Sequence, residues 1–184
     1  MILTYQGKQF FKAQVGDTVI AFNPISKQSQ SGIKPSTFGS DIVMVTTPHP
    51  DYNGVETVTY GDREPFIIDG PGQYEINGLF IKGLLTKAKS DGKDVINTIY
   101  YLEFDDIKMC FLGALSNREI PTEAMEEIDD VDMLFVPISG GDLLEASEAY
   151  KLATSFGSKI IIPMDYGENV KSGALETFIK EGSN

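Results

Sequence analysis

Asp41-Ile42-Val43-Met44-Val45-Thr46 runs without a break into Thr47-Pro48-His49-Pro50-Asp51-Tyr52-Asn53-Gly54. The first six residues are a short apolar run, consistent with a strand buried on both faces. The next eight hold two prolines and an Asn-Gly pair, which exclude regular structure. A buried strand that delivers a polar loop with His, Asp and Tyr at its end is a natural place for function, because loops on a rigid scaffold carry most binding and catalytic groups.

Working outward, the sequence before this stretch is strand-rich. Met1 to Lys8 reads as a strand entering a turn. Gln9–Gln14 and Thr18–Phe22 flank Val15-Gly16-Asp17 and predict a β-hairpin. Residues 26–40 are rich in Ser, Gln, Gly, Lys and Pro and predict a long loop. After the stretch, Phe66–Asp69 is a strand leading into the turn Gly70-Pro71-Gly72. Gln73–Ile76 and Leu79–Lys82 flank Asn77-Gly78, the strongest short hairpin signal. Residues 87–94 are polar and predict a loop. Thr98–Phe104 and Ile107–Leu112 flank Asp105-Asp106 as a further hairpin.

The last third changes character. Pro121 opens a predicted helix over 121–128, with acidic residues early, where they suit the helix dipole. Val131–Pro137 is a strand, Leu143–Phe156 a helix terminated at Gly157, and Lys159–Pro163 another strand. A final helix begins over Ala174–Ile179, and the tail frays in Gly182-Ser183-Asn184. Hairpins first and alternating strands and helices afterwards predict an α/β fold: two sheets packed face to face with helices outside.

The bulk numbers agree with one soluble domain over residues 1–184. No apolar run reaches the roughly 18–20 residues that span a bilayer, and the start lacks the pattern of a signal peptide. The lone Cys110 allows no intrachain disulfide. Cytoplasmic residence is therefore the expectation. The net charge of −12, from 27 acidic and 15 basic residues, repels phosphates and argues against nucleic acid as a partner.

Four of these stretches carry a resemblance. The buried strand 41–46 with its loop, the turn Gly70-Pro71-Gly72-Gln73-Tyr74-Glu75-Ile76-Asn77-Gly78, the strand ending Cys110-Phe111-Leu112-Gly113-Ala114-Leu115, and Val131 to Gly141 with Ile160-Ile161-Ile162-Pro163-Met164-Asp165-Tyr166 lie in order along the chain. Together they resemble the metallo-β-lactamase superfamily. The nearest branch is the one that includes the ascorbate-phosphate lactonase and many small bacterial metal-dependent hydrolases. The resemblance implies a four-layer αββα sandwich. It also implies a site of two divalent metals about 3.5–4 Å apart that activate a water and polarise the scissile bond.

The same resemblance shows where this chain departs from the pattern. The first histidine of the family's His-x-His-x-Asp-His motif falls on Thr47, the second is kept as His49, the aspartate is kept as Asp51, and the last histidine falls on Tyr52. A further histidine is expected near residues 86–89, which are Thr-Lys-Ala-Lys. The bridging aspartate falls on Ala114, and the final histidine on Asp165. His49 is the only histidine, so no other register restores a histidine-rich site.

His49 reads either as a metal ligand or general base, or as a loop histidine bonding a neighbour. Asp51 reads either as a ligand or hydrolytic base, or as a turn residue capping local amides. Asp165 reads as a pocket ligand or a solvated loop residue. If all three converge, they offer one imidazole and two carboxylates to a single Mn²⁺, Zn²⁺ or Mg²⁺, which Lys87 or Lys89 at the mouth would oppose. Gly140-Gly141 reads as a tight turn or as room for a substrate, and Cys110 as core. Two functions follow: a non-catalytic member with no metal that binds a small molecule or a protein, or a hydrolase of lactones, esters or phosphate esters with a reduced mononuclear site. Branch members often assemble as oligomers, and exposed strand edges would permit a homo-oligomer here.

Overall fold

A computed structural model describes residues 1–62, 64–167 and 173–183. The N-terminal half builds a five-stranded mixed sheet in the order β1 (Ile2–Gly7), β2 (Phe10–Val15), β3 (Thr18–Phe22), β4 (Ile42–Met44), β5 (Phe66–Ile68). β1, β2 and β3 are antiparallel, and β4 joins β3 and β5 in parallel. The rest of the chain builds a six-stranded sheet from β6 (Gly72–Ile76), β7 (Leu79–Ser90), β8 (Lys93–Phe104), β9 (Ile107–Phe111), β10 (Met133–Pro137) and β11 (Ile160–Met164). Its order is β11-β10-β9-β8-β7-β6, parallel from β9 to β11 and antiparallel elsewhere.

The sheets face each other across an aromatic core. Phe11 meets Phe135 edge-on with centroids 5.0 Å apart, and Phe22 stacks on Phe111, also at 5.0 Å. Such pairs add specificity to the area they bury. Tyr100 crosses the sandwich and donates its hydroxyl to the carbonyls of Val45 (2.8 Å) and Ile68 (3.0 Å). The outer face of the second sheet is covered by α2 (Ala146–Ser155) and α3 (Ala174–Glu181), which bury Ala149, Ala153 and Phe178 against Leu112, Leu134 and Val136. α1 (Thr122–Glu126) precedes β10. Over the first sheet the outer layer is mostly the loop of residues 23–41 and a single 3-10 turn, Val55–Thr57, which enclose Phe10, Ala21, Val43 and Val45. The layering is that of the expected α/β metallo-β-lactamase-type sandwich.

Most predicted elements lie where the sequence puts them, with ends moved by one to three residues. The long loop, the Asn77-Gly78 hairpin and the Asp105-Asp106 hairpin are all present. Asn77 (φ 53°) and Gly78 (φ 80°) both sit in the left-handed region that such a turn requires. α3 ends at Glu181, Gly182 and Ser183 form a turn, and Asn184 lies outside the described residues.

One prediction is corrected. Residues 87–94 are not a loop: β7 continues to Ser90, β8 starts at Lys93, and only Asp91-Gly92 turns. Thr86 and Ala88 are buried while Lys87 and Lys89 are exposed, so the segment alternates with the strand period of two. Its lysines hide the pattern, because only every second residue needs to be apolar. Asp91-Gly92 is itself a hairpin signal, and both residues have positive φ.

Candidate functional site

The loops after β4, β10 and β11 gather at one pole with the β1–β2 turn and the β7–β8 hairpin. They surround a cavity of about 520 Å³ lined by Lys8, Thr47, His49, Asp51, Tyr52, Lys89, Asp142, Glu145 and Asp165, among others. The loop after β4 is held by its own backbone. Tyr52 N and Asn53 N donate to His49 O at 2.8 and 3.0 Å, and Ser26 N reaches across to Pro50 O at 2.8 Å. This turn fixes where His49, Asp51 and Tyr52 point.

Asp165 is 1% exposed and is met on both oxygens. Lys8 Nζ donates to Oδ1 at 3.1 Å, while Gln9 Nε2 and the Tyr52 hydroxyl donate to Oδ2, each at 3.0 Å. Both Lys8 (φ 51°) and Asp165 (φ 60°) hold left-handed backbone, unusual for residues with a Cβ. The two turns brace each other, because Asp165 N also donates to Lys8 O at 2.9 Å. The Lys8 ammonium lies 3.1 Å from Asp51 Oδ2 as well, and Ser29 donates to Asp51 Oδ1. One cation thus bridges two carboxylates from strand ends far apart in sequence.

The electrostatics follow. Burial works against the charge on Lys8, but Asp165 and Asp51 outweigh it and hold its pKa above the ordinary lysine value. Burial also works against the Asp51 carboxylate, yet the Ser29 hydroxyl, Lys8 and His49 hold its pKa below the ordinary range. Burial, with Asp165 beside it, pushes the Tyr52 hydroxyl far up, so it stays a neutral donor. His49 is different: its ring is 40% exposed. Its Nδ1 accepts the Asp51 backbone N–H at 3.2 Å and lies 4.0 Å from Asp51 Oδ2.

Beside this charged cluster lies a neutral one. Asn97 is fully buried and uses its whole amide. Its Oδ1 accepts from Thr47 Oγ1 (3.2 Å) and Ala114 N (2.8 Å), and its Nδ2 donates to Thr86 Oγ1 (2.8 Å) and Leu112 O (3.0 Å). A Cβ at Gly113 would come within 2.6 Å of both Asn97 Oδ1 and Thr46, so only glycine lets that turn approach so closely. The two clusters are joined through Asn23, which donates to Thr46 Oγ1 and Gln9 Oε1, each at 2.9 Å.

The structure therefore brings Asp51 and Asp165 together on Lys8 and leaves His49 at the rim. Lys8, Gln9 and Asn97 are central to the pole and were not singled out from the sequence. Lys89 lines the cavity but is ion-paired with Asp94, and Lys87 lies outside its lining. Gly140 and Gly141 both have positive φ and form a turn in which Leu143 N donates to Gly140 O at 3.2 Å. The residues present do not fit the family's metal group. The carboxylates are already engaged by an ammonium and by hydrogen-bond donors, and the neutral cluster satisfies itself. Among the described residues, no group of three or more His, Cys, Asp or Glu side chains is placed to hold a metal. Also among those residues, no helix is long and apolar enough to cross a membrane.

Comparison with known proteins matches residues 2–165 to the model of the beta-lactamase superfamily domain. A Thermotoga maritima protein assigned as a Zn-dependent hydrolase of the metallo-β-lactamase superfamily superposes with a TM-score of 0.76 at 28% identity, over 97% of this chain and 84% of its own. A protein from Parabacteroides distasonis assigned as a metal-dependent hydrolase gives 0.70 at 19% identity, over 98% and 88%. A metallo hydrolase from the hyperthermophilic archaeon Ignicoccus hospitalis gives 0.67 at 18%, over 98% and 90%. No curated protein matches the chain.

Proposed function

The chain belongs to the beta-lactamase superfamily domain family, and from that premise we propose that it is a non-catalytic member whose polar cavity binds a small molecule or a partner protein. One observation carries this reading: the Lys8 ammonium stands 3.1 Å from both the retained Asp51 and Asp165, which takes the place of the final histidine. A hydrolytic metal centre needs those lone pairs free and a water held against a strong Lewis acid. An ammonium supplies charge but no open coordination position.

The reading takes the chain as one domain over residues 1–184, in the cytoplasm of a bacterium, with neither nucleic acid nor membrane as partner. The net charge of −12 and the lone buried cysteine support it. Assembly as a homo-oligomer is compatible with it.

A second reading is a hydrolase of lactones, esters or phosphate esters with a mononuclear Mn²⁺, Zn²⁺ or Mg²⁺ site on His49, Asp51 and Asp165. The 28% identity to a protein assigned as a Zn-dependent hydrolase favours it, as does the exposed ring of His49.

Metal analysis of protein purified without chelator, paired with assays on lactone, ester and phosphate ester substrates, separates the two. The non-catalytic reading expects no stoichiometric metal and no turnover with added Mn²⁺, Zn²⁺ or Mg²⁺. Metal-dependent turnover that His49→Ala abolishes would establish the second reading and end the first.

A further inference from the structure

We infer that Lys8 is the resident cation of this pole: it excludes divalent metal, and shortening or neutralising it converts the cavity into a site for one divalent ion. The inference rests on the non-catalytic reading of the same site. It goes further by naming the single residue that decides metal selectivity.

The argument starts from charge. Asp51 and Asp165 face each other across one ammonium, a local balance of two negative charges against one positive. A buried carboxylate such as Asp165, and to a lesser degree the partly buried Asp51, demands a partner, because an unpaired charge away from water is costly. The two here come from loops after β4 and β11, and nothing but Lys8 bridges them among the described residues. Remove the ammonium and the same oxygens offer two negative charges to a single ion. A divalent cation balances them fully, where the lysine balances them by half.

The donor set left behind suits such an ion. It comprises one oxygen each of Asp51 and Asp165, both 3.1 Å from the present Lys8 Nζ, with the other positions left to water; the His49 ring stays outside the set, because its Nδ1 accepts the Asp51 N–H. Carboxylate oxygens completed by water suit Mn²⁺ and are accepted by Zn²⁺. The Gln9 and Tyr52 donors on Asp165 Oδ2 hold that carboxylate in place as outer-shell groups do around bound metals. The barrier to metal in the native chain is therefore the tethered ammonium, which is always present at its own site and cannot diffuse away.

The test uses the full chain, stripped with chelator and returned to metal-free buffer, as wild type, Lys8→Met, Lys8→Ala and the double variant Lys8→Met with Asp165→Asn. Free Mn²⁺ is followed by its electron paramagnetic resonance signal, and Zn²⁺ by calorimetry. We expect Lys8→Met and Lys8→Ala to bind one equivalent at least about tenfold more tightly than wild type, and the double variant to lose that gain. Wild type binding Mn²⁺ as tightly as Lys8→Met overturns the inference, and so does a folded Lys8→Met that gains nothing. If both single variants fail to fold in metal-free buffer, they are refolded with Mn²⁺ in excess. Recovery of the native circular dichroism supports the inference, and failure to recover ends it, since a divalent ion then cannot replace the ammonium. Turnover by metal-loaded wild type breaks the non-catalytic reading. Lys8 variants with no metal affinity break only the present inference.

Discussion

The pole of the sandwich has two halves, and they fill the positions of the family's metal ligands in different ways. In the half around Asn97, the positions where the family resemblance places a histidine and the bridging aspartate are Thr47 and Ala114. The space is closed by a neutral amide that satisfies two donors and two acceptors at once. In the half around Asp165, one carboxylate (Asp51) is retained, a second (Asp165) stands where the resemblance places a histidine, and one ammonium pairs with both. The first half is neutral, and the second pairs its charges internally. The difference teaches that two groups of buried polar side chains at one pole can be stabilised by opposite means. A buried carboxylate can stay if the chain itself provides the counter-ion, whereas a site stripped of ligands must be filled by groups that pair among themselves.

The largest effect should come from removing the counter-ion. Lys8→Met keeps the aliphatic stem and leaves Asp51 and Asp165 without their cation. Breaking a buried ion pair from one side typically costs about 3–5 kcal/mol, and the 19% exposure of Lys8 places this substitution toward the lower end. A urea denaturation midpoint at neutral pH, compared with wild type in metal-free buffer, measures it. A loss under roughly 1 kcal/mol, the range of surface pairs, would mean that the pole does not depend on its cation and would collapse the contrast between the halves.

Asn97→Ala probes the neutral half. It removes the side-chain partner of Thr47 Oγ1, the Ala114 amide and the Leu112 carbonyl, while Thr86 Oγ1 loses one partner and keeps its bond to the Asn97 backbone carbonyl. Unsatisfied buried polar groups cost about 1–3 kcal/mol each, but relaxation and a penetrating water spare part of that, so a net loss of roughly 2–3 kcal/mol is expected. The sharper readout is the pH profile. The Asn97→Ala penalty should be the same at every pH where the protein folds, because none of its partners titrates there.

The Lys8 penalty, by contrast, should depend on pH, and the sign can be worked out. Lys8 has a folded pKa above its unfolded value near 10.5, so its contribution is complete below that value and fades as pH rises through the folded pKa. Asp51 has a folded pKa below its unfolded value near 3.8, so its contribution is complete above that value and fades as pH falls through the folded pKa. The stability difference between wild type and Lys8→Met should form a plateau across the intervening range and shrink at both ends. A difference that is flat into strong alkali would show that the substitution acts through the packing of the turn and not through the ammonium's charge.

These two halves were unequally legible in the sequence. The fold could be read because hairpin signals such as Asn77-Gly78 and a fully buried run such as Ile42–Met44 are local patterns with few alternative meanings. The extension of β7 and β8 was missed because Lys87, Lys89 and Lys93 mask an alternation whose inward residues, Thr86 and Ala88, are weakly apolar or polar. In the site, Asp51 and Asp165 could be picked out through their place in the resemblance, but their partner could not. Lys8 lies in a tight turn 43 and 157 residues away from them, and nothing in Gly7-Lys8-Gln9 marks an ammonium that points inward. Only the physical demand that paired buried carboxylates have a cation could have prompted the search for it. Asn97, flanked by Ile96 and Thr98 within a strand, carries no signal at all until its four partners are seen.

The smallest expected effect tests which half owns His49. Its ring is 40% exposed at the rim, and its Nδ1 accepts the Asp51 N–H at 3.2 Å, with the Asp51 carboxylate 4.0 Å away. Water can replace that acceptor at such a position. His49→Ala should therefore change stability by no more than about 0.5 kcal/mol, the usual range for surface sites, read by the same denaturation midpoint. A loss beyond about 1 kcal/mol would make His49 an anchor for the Asp51 loop and so a member of the charged half. A near-neutral result leaves the imidazole free for whatever enters the cavity. In that case His49→Ala is the variant to carry into ligand screens, because any change it makes there can be assigned to contact with the ligand and not to a weakened fold.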